Sequence, residues 1–450
     1  MSNDLLNIGS SALAAYKVAL GAVGDNVANA QTEGYSRRSV RTKEIQGNFA
    51  AVDIGSRKTA FFNGVVVAEV VRAWDDFLAA DARTASADAG RSAVRQQWLT
   101  SVETALDDGP IGAGSSMTTF FNTATTLASN PGDNLGRQSF LTALSDVTSA
   151  FRRTGDAMAR VSDGLQHTAQ LEVAGVNDTL KQIDKINTSL LTAAPGGSAR
   201  ASLLDQRDGL IDSLSSKMDI EVSFSDKGEA IINLASDSSV SLLRPGAAAT
   251  VSLAFATDGR IALTYINHGA EAPLPVAGGK FAGLVSTANE VAGRRSELDA
   301  IANQFIGGVN SWSANGRDAN GNAGVPLLSG TSASTMQALV TDTDLVPAAS
   351  ATGVENGNLM ALDSLRGAGN AEERWAKLVQ GNAQVLGTAR NEATATAARM
   401  DGSLAALDEV TGVDLDKEAA DLLRYQQAYN AAAKIIQVSR ETIDAILQVI

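Results

Sequence analysis

The stretch LDKEAADLLRYQQAYNAAAKIIQVSRETIDAILQVI, residues 415–450, carries an apolar side chain at every seventh position. The residues of this row are Leu415, Leu422, Tyr429, Ile436, Ile443 and Ile450. A companion row contains Ala419, Ala433 and Leu447 and is interrupted by Gln426 and Arg440. A seven-residue repeat kept over several heptads predicts a coiled-coil seam rather than an ordinary surface helix. At a rise of about 1.5 Å per residue, the predicted helix is about 54 Å long.

The other end of the chain carries a matching repeat. Its seven-residue row consists of Leu6, Leu13, Leu20 and Val27, and the companion row of Gly9, Tyr16, Val23 and Ala30. These rows predict one apolar face of a helix that ends near Asn29. Neither terminal helix can bury so narrow a stripe alone, so the simplest partner of each is the other terminus. The residues expected to face each other are Leu422, Tyr429, Ile436 and Ile443 on one side and Leu13, Leu20 and Val27 on the other.

Between the termini the periodicity changes several times. Residues 36–75 alternate and contain glycines, which predicts a β-hairpin or an extended arm. Residues 219–277 alternate again, with turn sequences at 226–228 and 258–260, which predicts a small β domain. Helical patterns predict the other main elements, at about 76–107, 115–129, 134–192, 199–217, 281–312 and from 371 onward.

These elements predict a mainly α fold with an inserted antiparallel β domain and an elongated shape. Residues 1–35 together with 413–450 are expected to form a terminal coiled-coil domain. Residues 36–218 together with 278–412 are expected to form an elongated helical body that carries the β-hairpin arm. Residues 219–277 are expected to form the inserted β domain on the outside.

The charge of the chain limits its partners. A net charge of −14 argues against nucleic acid, because phosphate binding needs a basic surface. The one basic cluster consists of Arg37, Arg38, Arg41 and Lys43. Such a run favours a hairpin edge that is solvated or whose charges pair within the chain, and a salt bridge between subunits is the alternative.

Cysteine usage and hydropathy exclude further classes. The chain has no cysteine, which excludes a disulfide framework and a thiolate metal site. We expect no stretch to match the roughly 20 apolar residues that span a bilayer, and the N-terminus lacks the basic and continuous apolar regions of a cleaved signal peptide. We therefore expect neither a membrane partner nor a cleaved leader.

The sequence predicts no catalytic, cofactor-binding or metal-binding residue. The two histidines, His167 and His268, lie far apart in sequence, and we expect surface or capping roles for both. Residues 278–280, Gly-Gly-Lys, lack the glycine spacing of a phosphate-binding loop and predict a turn before a helix.

One short segment approaches a calcium-binding loop. Asp318, Asn320 and Asn322 have the spacing of the first three ligands. However, Ala323 stands where such a loop needs glycine, and Ser329 where it needs a bidentate glutamate. A tight turn is therefore predicted here.

Four segments carry a resemblance to a known family. Residues 25–38, DNVANAQTEGYSRR, resemble the N-terminal signature of flagellar axial proteins, with Asn26, Asn29, Thr32, Gly34 and Tyr35 at the matching positions. Residues 424–436, RYQQAYNAAAKII, resemble the C-terminal helix of these proteins through Arg424, Gln426 and Tyr429. Residues 203–208, LLDQRD, and residues 278–284, GGKFAGL, resemble two internal motifs of the hook-associated protein 1 (FlgK) family.

The resemblance implies a structural, non-enzymatic subunit of the bacterial flagellum. It implies that the terminal helices form an inner tube and that the two heptad rows are the polymerisation seam. The implied partners are identical subunits in a ring, the hook protein, a second junction protein and a FlgN-type export chaperone on the C-terminal helix. The implied location is extracellular, at the hook–filament junction, after type III export without a cleaved signal.

Three alternatives to a junction subunit stay open at this point. The chain could be another axial subunit, such as a hook or flagellin-like protein. The β insertion, which resembles one reduced outer domain of the longer enterobacterial relatives, could add an adhesin-like binding role. An inserted hydrolase is disfavoured, because residues 219–277 are few and poor in paired carboxylates.

Overall fold

The computed structural model describes residues 2–32, 34–45, 64–267 and 269–448, and helices make up most of this part of the chain. In chain order the α-helices are α1 (Ser2–Ala28), α2 (Asp76–Ala105), α3 (Ala113–Ala128), α4 (Asn134–Thr192), α5 (Ser198–Lys217), α6 (Gly279–Asn315), α7 (Gly357–Ala361), α8 (Ala371–Thr411) and α9 (Leu415–Leu447). The sheets of the described residues are small and antiparallel. The predicted mainly α class is confirmed.

The strands fall into five small sheets in this part of the chain. An arm pairs β1 (Arg38–Glu44) with β2 (Val65–Arg72), and Arg38 lies opposite Arg72. The other strands are β3 (Ile220–Phe224), β4 (Ala230–Leu234), β5 (Ser241–Arg244), β6 (Ala247–Ala248), β7 (Thr250–Phe255), β8 (Ile261–Asn267), β9 (Ala270–Pro273), β10 (Gly316–Arg317), β11 (Leu328–Ser329), β12 (Gln337–Ala338) and β13 (Ala349–Ser350). The predicted arm is thus a hairpin, and the rest of it, residues 46–63, lies outside the described residues.

The chain divides into two compact units. The first comprises Met1–Ser86, Asn177–Ala249 and Ala398–Ile450, and the second comprises Ala87–Val176 and Thr250–Ala397. The boundary at 249/250 falls inside the region for which a single β domain was predicted. The three-part division drawn from the sequence stays a prediction.

The strands of 219–277 form two separate sheets. One sheet has the order β3-β4-β5-β6 and the other β7-β8-β9. The Ala249 N–H still bonds the Leu242 carbonyl of the first sheet at 2.9 Å, whereas Thr250 is already paired with Ile266 of the second. Alternation in a sequence indicates a strand but does not indicate which strand it will pair with.

Aromatic side chains form the core of the second unit. The Phe120 ring lies 5.2 Å from Phe121, 5.0 Å from Phe140 and 5.7 Å from Phe305, measured between ring centroids. The motif at 278–284 supplies the start of α6 in the same unit. A side chain at Gly283 would lie 2.6 Å from the Arg91 carbonyl of α2, so glycine permits the two helices to touch.

In the first unit, one buried amide joins α4 to the β3–β6 sheet. Asn187 Nδ2 donates to the Ala230 carbonyl at 2.9 Å, and its Oδ1 accepts the Ala230 N–H at 2.8 Å. Asn187 and Ala230 are both buried, so no solvent replaces these bonds if they are lost.

We expect Asn187→Ala to lower the free energy of unfolding of the first unit by about 2–4 kcal/mol, because two backbone groups of Ala230 lose their buried partners. Urea unfolding and the amide exchange rate of Ala230 measure this effect. The control is Thr188→Ala, which removes an exposed hydroxyl from the same turn. Equal effects of the two substitutions would contradict the assigned role of Asn187.

Candidate assembly surface at the paired termini

The two terminal helices pack against each other in antiparallel orientation. Asn26 Nδ2 of α1 bonds Glu418 of α9 at 2.9 Å, and the Tyr16 and Tyr425 rings lie 6.4 Å apart. Gly9, nearer the start of α1, packs against Ile436. Residues later in α9 contact residues earlier in α1, and this order requires antiparallel helices.

The predicted row of α9 lies partly inside this contact. Leu422, Tyr429, Ile436 and Ile443 are half-buried, and Leu415 is exposed. Ile450 and the side chain of Leu447 lie outside the described residues. The predicted companion row is displaced by one residue: Ala419, Gln426, Ala433 and Arg440 are exposed, and the inward positions are Glu418, Tyr425, Ala432 and Ser439. Two of these inward residues are polar, so hydropathy alone assigns the row one position too late.

The predicted row of α1 lies at the edge of the contact. Leu6, Leu13 and Leu20 are half-buried, and Val27 is 47% exposed. The buried side of the helix consists of small residues and one amide, namely Ala15, Ala19, Ala22, Val23 and Asn26. Small side chains bring the helix axes close, and the companion-row residues Gly9 and Tyr16 meet α9.

Helix α1 contradicts the expectation that no apolar stretch is long enough to span a bilayer. By length and composition, Leu5–Ala28 is apolar enough to cross a bilayer, although no such stretch was expected. Its alanines and valines raise the hydropathy without forming a continuous run of large apolar residues. A helix that packs along another helix has the same composition, and α1 packs along α9.

Asn26 is the central residue of the N-terminal motif. It is buried, and each hydrogen-bonding position of its amide is used. Nδ2 donates to the Arg38 carbonyl at 2.8 Å and to Glu418 Oε2 at 2.9 Å. Oδ1 accepts the Arg38 N–H at 2.9 Å and the Tyr35 hydroxyl at 2.8 Å. One amide thus joins α1, the start of the arm and α9, which accounts for asparagine at this position.

The residues after Asn26 shape the loop that brings Tyr35 back to it. The Thr32 N–H bonds the Asn29 carbonyl at 2.9 Å, and the Tyr35 N–H bonds the Thr32 carbonyl at 3.1 Å. Gly34 has a φ of 74°, a left-handed conformation that glycine adopts without strain. Burial raises the pKa of Tyr35 to about 12, so its hydroxyl stays protonated and donates to Asn26.

Glu418 is the buried acid of α9. Arg37 Nε donates to Oε1 at 2.7 Å, and Asn26 donates to Oε2. Arg37 also reaches Asp421 at 3.5 Å, and its backbone N–H bonds the Thr411 carbonyl at 2.8 Å. The carboxylate is compensated on both oxygens, as a buried charge requires. The predicted seam does not include Glu418. The sequence signal for a buried acid is the Arg-Arg pair that ends the N-terminal motif, because two arginines need acidic partners.

A second ionic cluster explains the LLDQRD motif. Asp205 lies 2.9 Å from Arg38 Nη2 and 2.8 Å from Arg72 Nε, so it clamps both strands at the base of the arm. Asp208 lies 2.8 Å from Arg72 Nη2 and 2.7 Å from Arg207 Nη2. Burial lowers the pKa of Arg207, and the Asp208 carboxylate opposes that shift. Alternating charges thus fasten the arm to α5.

The other sequence-predicted residues have simpler environments. Arg424 is exposed and pairs with Asp421 at 3.0 Å, and Gln426 is exposed. In the basic cluster, Arg37 and Arg38 pair within the chain, Arg41 pairs with Glu69 at 2.7 Å on the surface, and Lys43 is exposed.

Among the described residues, the histidine and the calcium-like segment named above have ordinary environments. His167 is exposed on α4, and His268 lies outside the described residues. Asp318 Oδ1 accepts the backbone N–H groups of Asn320 and Asn322, each at 2.8 Å, as in a tight turn. No group of three or more His, Asp or Glu side chains suited to a metal occurs within residues 2–32, 34–45, 64–267 and 269–448.

Three protein-family models match parts of the chain. Residues 99–328 match the helical domain of the flagellar hook-associated protein FlgK, which is about half of the chain. The chain belongs to the FlgK family. Residues 6–35 match the flagella basal body rod protein model, and residues 402–449 match the C-terminal model of the basal body rod FlgEFG proteins. The resemblance drawn from the motifs is confirmed.

Individual relatives agree with the family models. Flagellar hook-associated protein 1 of Bacillus subtilis is 26% identical over 97% of this chain and 96% of its own length. The protein of the same name in Salmonella typhimurium is 27% identical over 73% of this chain, and the match spans 59% of that relative. The solved flagellar hook junction protein FlgK of Burkholderia pseudomallei has a TM-score of 0.50 at 20% identity, over 56% of this chain and 46% of its own, and shows a shared fold.

Membership of the FlgK family makes the chain a structural component of the bacterial flagellum and not an enzyme. It assembles with other axial components, and its location is flagellar.

We expect Gly9→Ala to weaken the α1–α9 pair by about 1–3 kcal/mol, because the added methyl group would lie 2.6 Å from Ile436 Cγ1 and 3.4 Å from the Ala432 carbonyl. Amide exchange along α9 reports the loss. The control is Gly21→Ala, where the methyl group meets no atom within 4 Å and should stabilise α1 by about 0.5–1 kcal/mol. Similar stabilisation by Gly9→Ala and Gly21→Ala would contradict the close approach of α9 at Gly9.

We expect Asp205→Ala to lower the free energy of unfolding of the first unit by about 1–3 kcal/mol, since Arg38 loses its nearest carboxylate and Arg72 keeps only Asp208. Glu69→Ala, which removes an exposed ion pair from the same arm, should cost about 0–1 kcal/mol. Urea unfolding measures the free energy of unfolding of both variants. A loss with Asp205→Ala no larger than the loss with Glu69→Ala would contradict the stabilising role of Asp205.

Proposed function

We propose that the chain is a subunit of the hook–filament junction that polymerises through its two terminal helices. One observation carries the proposal: the apolar rows of the α1–α9 pair are only partly buried in the single chain. Leu6, Leu13 and Leu20 of α1 and Leu422, Tyr429, Ile436 and Ile443 of α9 are all half-buried. Coiled-coil rows of this kind gain stability when further helices cover them.

The ionic clusters support the same role. A polymerising helix pair must transmit load to the rest of its subunit, and the Glu418–Arg37–Asn26 contacts fasten α9 to the arm. Asp205 then fastens the arm to α5. In this proposal a ring of identical subunits joins the hook protein on one side and a second junction protein on the other.

The route to the junction is part of the proposal. The chain would leave the cell unfolded through the flagellar type III apparatus, with an uncleaved N-terminal signal, and act outside the cell. The absence of cysteine suits such a route, because no thiol can mispair during refolding. A FlgN-type chaperone on α9 would cover the exposed apolar side chains before export.

We expect deletion of residues 415–450 to abolish filament attachment while the second unit stays folded, because α1 and the arm lose Glu418 and the α9 surface. Electron microscopy of cells that depend on this chain counts attached filaments, and amide exchange checks the second unit. The control is Gln437→Ala, a change on the exposed polar side of α9. Normal filaments on cells with the deletion would contradict the proposal.

Antibody labelling distinguishes the junction role from the other axial roles. We expect label at the single boundary between hook and filament. Label along the whole filament would instead indicate a flagellin-like subunit, and label along the hook would indicate a hook subunit.

A further inference from the structure

A cleft of about 720 Å³ opens in the first unit, beside the loop that follows α1. Three segments contribute to its walls, namely residues 30–36 of that loop, residues 208–213 of α5 and residues 404–413 around the end of α8. The Trp74 side chain also lines it. Its volume lies within the range of about 300–1,000 Å³ that ligand pockets have, so the cleft has room for a short peptide segment.

Gly209 keeps one wall of the cleft clear. It lies in the middle of α5, where glycine costs more stability than other residues apart from proline. A side chain at this position would meet no atom within 4 Å, so packing inside the chain does not require glycine. The missing side chain instead leaves room in the cleft for a group from outside the chain.

Part of the lining is apolar and accessible. Leu404, which is 45% exposed, and Leu407 come from α8, and Trp74 adds an aromatic ring. An exposed leucine beside an indole ring favours an occupant that brings apolar atoms of its own.

The cleft also contains three carboxylates, and one of them lacks a cation. Asp208 pairs with two arginines of the first unit, and Asp212 pairs with Arg83 at 2.7 Å. Asp408 is exposed and forms no ion pair with a described residue. Within the described part of the chain, no lysine or arginine lines the cleft. The lining therefore carries an unbalanced negative charge, which favours a cationic occupant.

We propose that this cleft binds a segment of another axial component in which a lysine or arginine is flanked by apolar residues. A basic side chain fits both kinds of lining, because its methylene stem is apolar and its end is charged. The charged end pairs with Asp408, and the stem and the flanking residues contact Leu404 and Trp74.

The size of the cleft and the charge of the chain decide the kind of occupant. A free cation of a few atoms would leave most of the 720 Å³ empty, whereas a peptide segment contacts all three walls. The chain has a net charge of −14, so a second copy is a poor source of a basic segment. The inference goes beyond the proposed function, because it does not depend on where along the flagellar axis the chain lies.

A short peptide and the isolated chain test the charge requirement. The probe is acetyl-leucyl-arginyl-leucine amide, and its control has neutral citrulline in place of arginine. We expect the arginine peptide to shift the indole N–H resonance of Trp74, assigned with Trp74→Phe, until it saturates. The citrulline peptide should bind at least about tenfold more weakly. Equal binding of the two peptides, no binding of the arginine peptide, or equal binding of free arginine amide would overturn the inference.

Two pairs of variants separate the cleft from the fold. Asp408→Lys should weaken the arginine peptide at least about tenfold, whereas Glu409→Lys, at an adjacent exposed acid outside the described lining, should not. Gly209→Leu should fill the cleft and abolish binding, with an unfolding midpoint that is unchanged or raised, because leucine favours a helix more than glycine does. Gly293→Leu, at an exposed position of α6, is its control. Unchanged binding with Asp408→Lys or Gly209→Leu would overturn the inference.

Photo-cross-linking in isolated flagella tests the source of the segment. Because the chain has no cysteine, Ser213→Cys places a benzophenone maleimide at one exposed position of the lining. We expect a cross-link to another axial component, at a peptide that contains lysine or arginine, and its loss when Asp408→Lys is added. Gly293→Cys should not give this product. A cross-link to a second copy, to a peptide without a basic residue, or no cross-link would overturn the inference, while the proposed function, which rests on the α1–α9 rows, would survive.

Discussion

The carboxylate of Glu418 lies buried between Arg37 and Asn26, and the first unit is organised around that contact. A buried charge is tolerated only where both oxygens have partners, and here the two partners come from the arm and from α1. The contact therefore fixes how far α9 is shifted along α1 and where the arm begins. The next residue of the arm, Arg38, forms an ion pair with Asp205 of α5.

This arrangement separates two tasks that a structural subunit must perform. Ion pairs hold the parts of the first unit together: Asp205 and Asp208 bind the arm to α5, and Glu418 binds the arm to α9. Apolar side chains on the terminal helices are only partly buried, and the proposed function assigns them to contacts with further copies. Buried ion pairs and hydrogen bonds are directional, so they fix the geometry of the helix pair.

Periodicity in the sequence predicts most of the helices and strands, because burial on one face leaves a regular apolar row. It also places Leu422, Tyr429 and Ile436 near the partner helix. It fails at Glu418 and Ser439, which are inward although polar, and at α1, where alanines rather than the leucine row form the buried side. It also cannot reveal that the chain changes sheets at Ala249, because strand partners are chosen by tertiary contacts. The family motif marks Asn26, but its four hydrogen bonds depend on contacts with α9 and the arm that the motif does not contain.

A double-mutant cycle between Asn26 and Glu418 tests the central contact most directly. Asn26→Ala, Glu418→Ala and the double variant are compared by urea unfolding of the full chain, and the coupling is the part of the change that the single variants do not sum to. A buried hydrogen bond to a carboxylate predicts a coupling of about 1.5–3 kcal/mol. A coupling near zero would mean that the two ends of the chain are held together by other contacts, which contradicts the account.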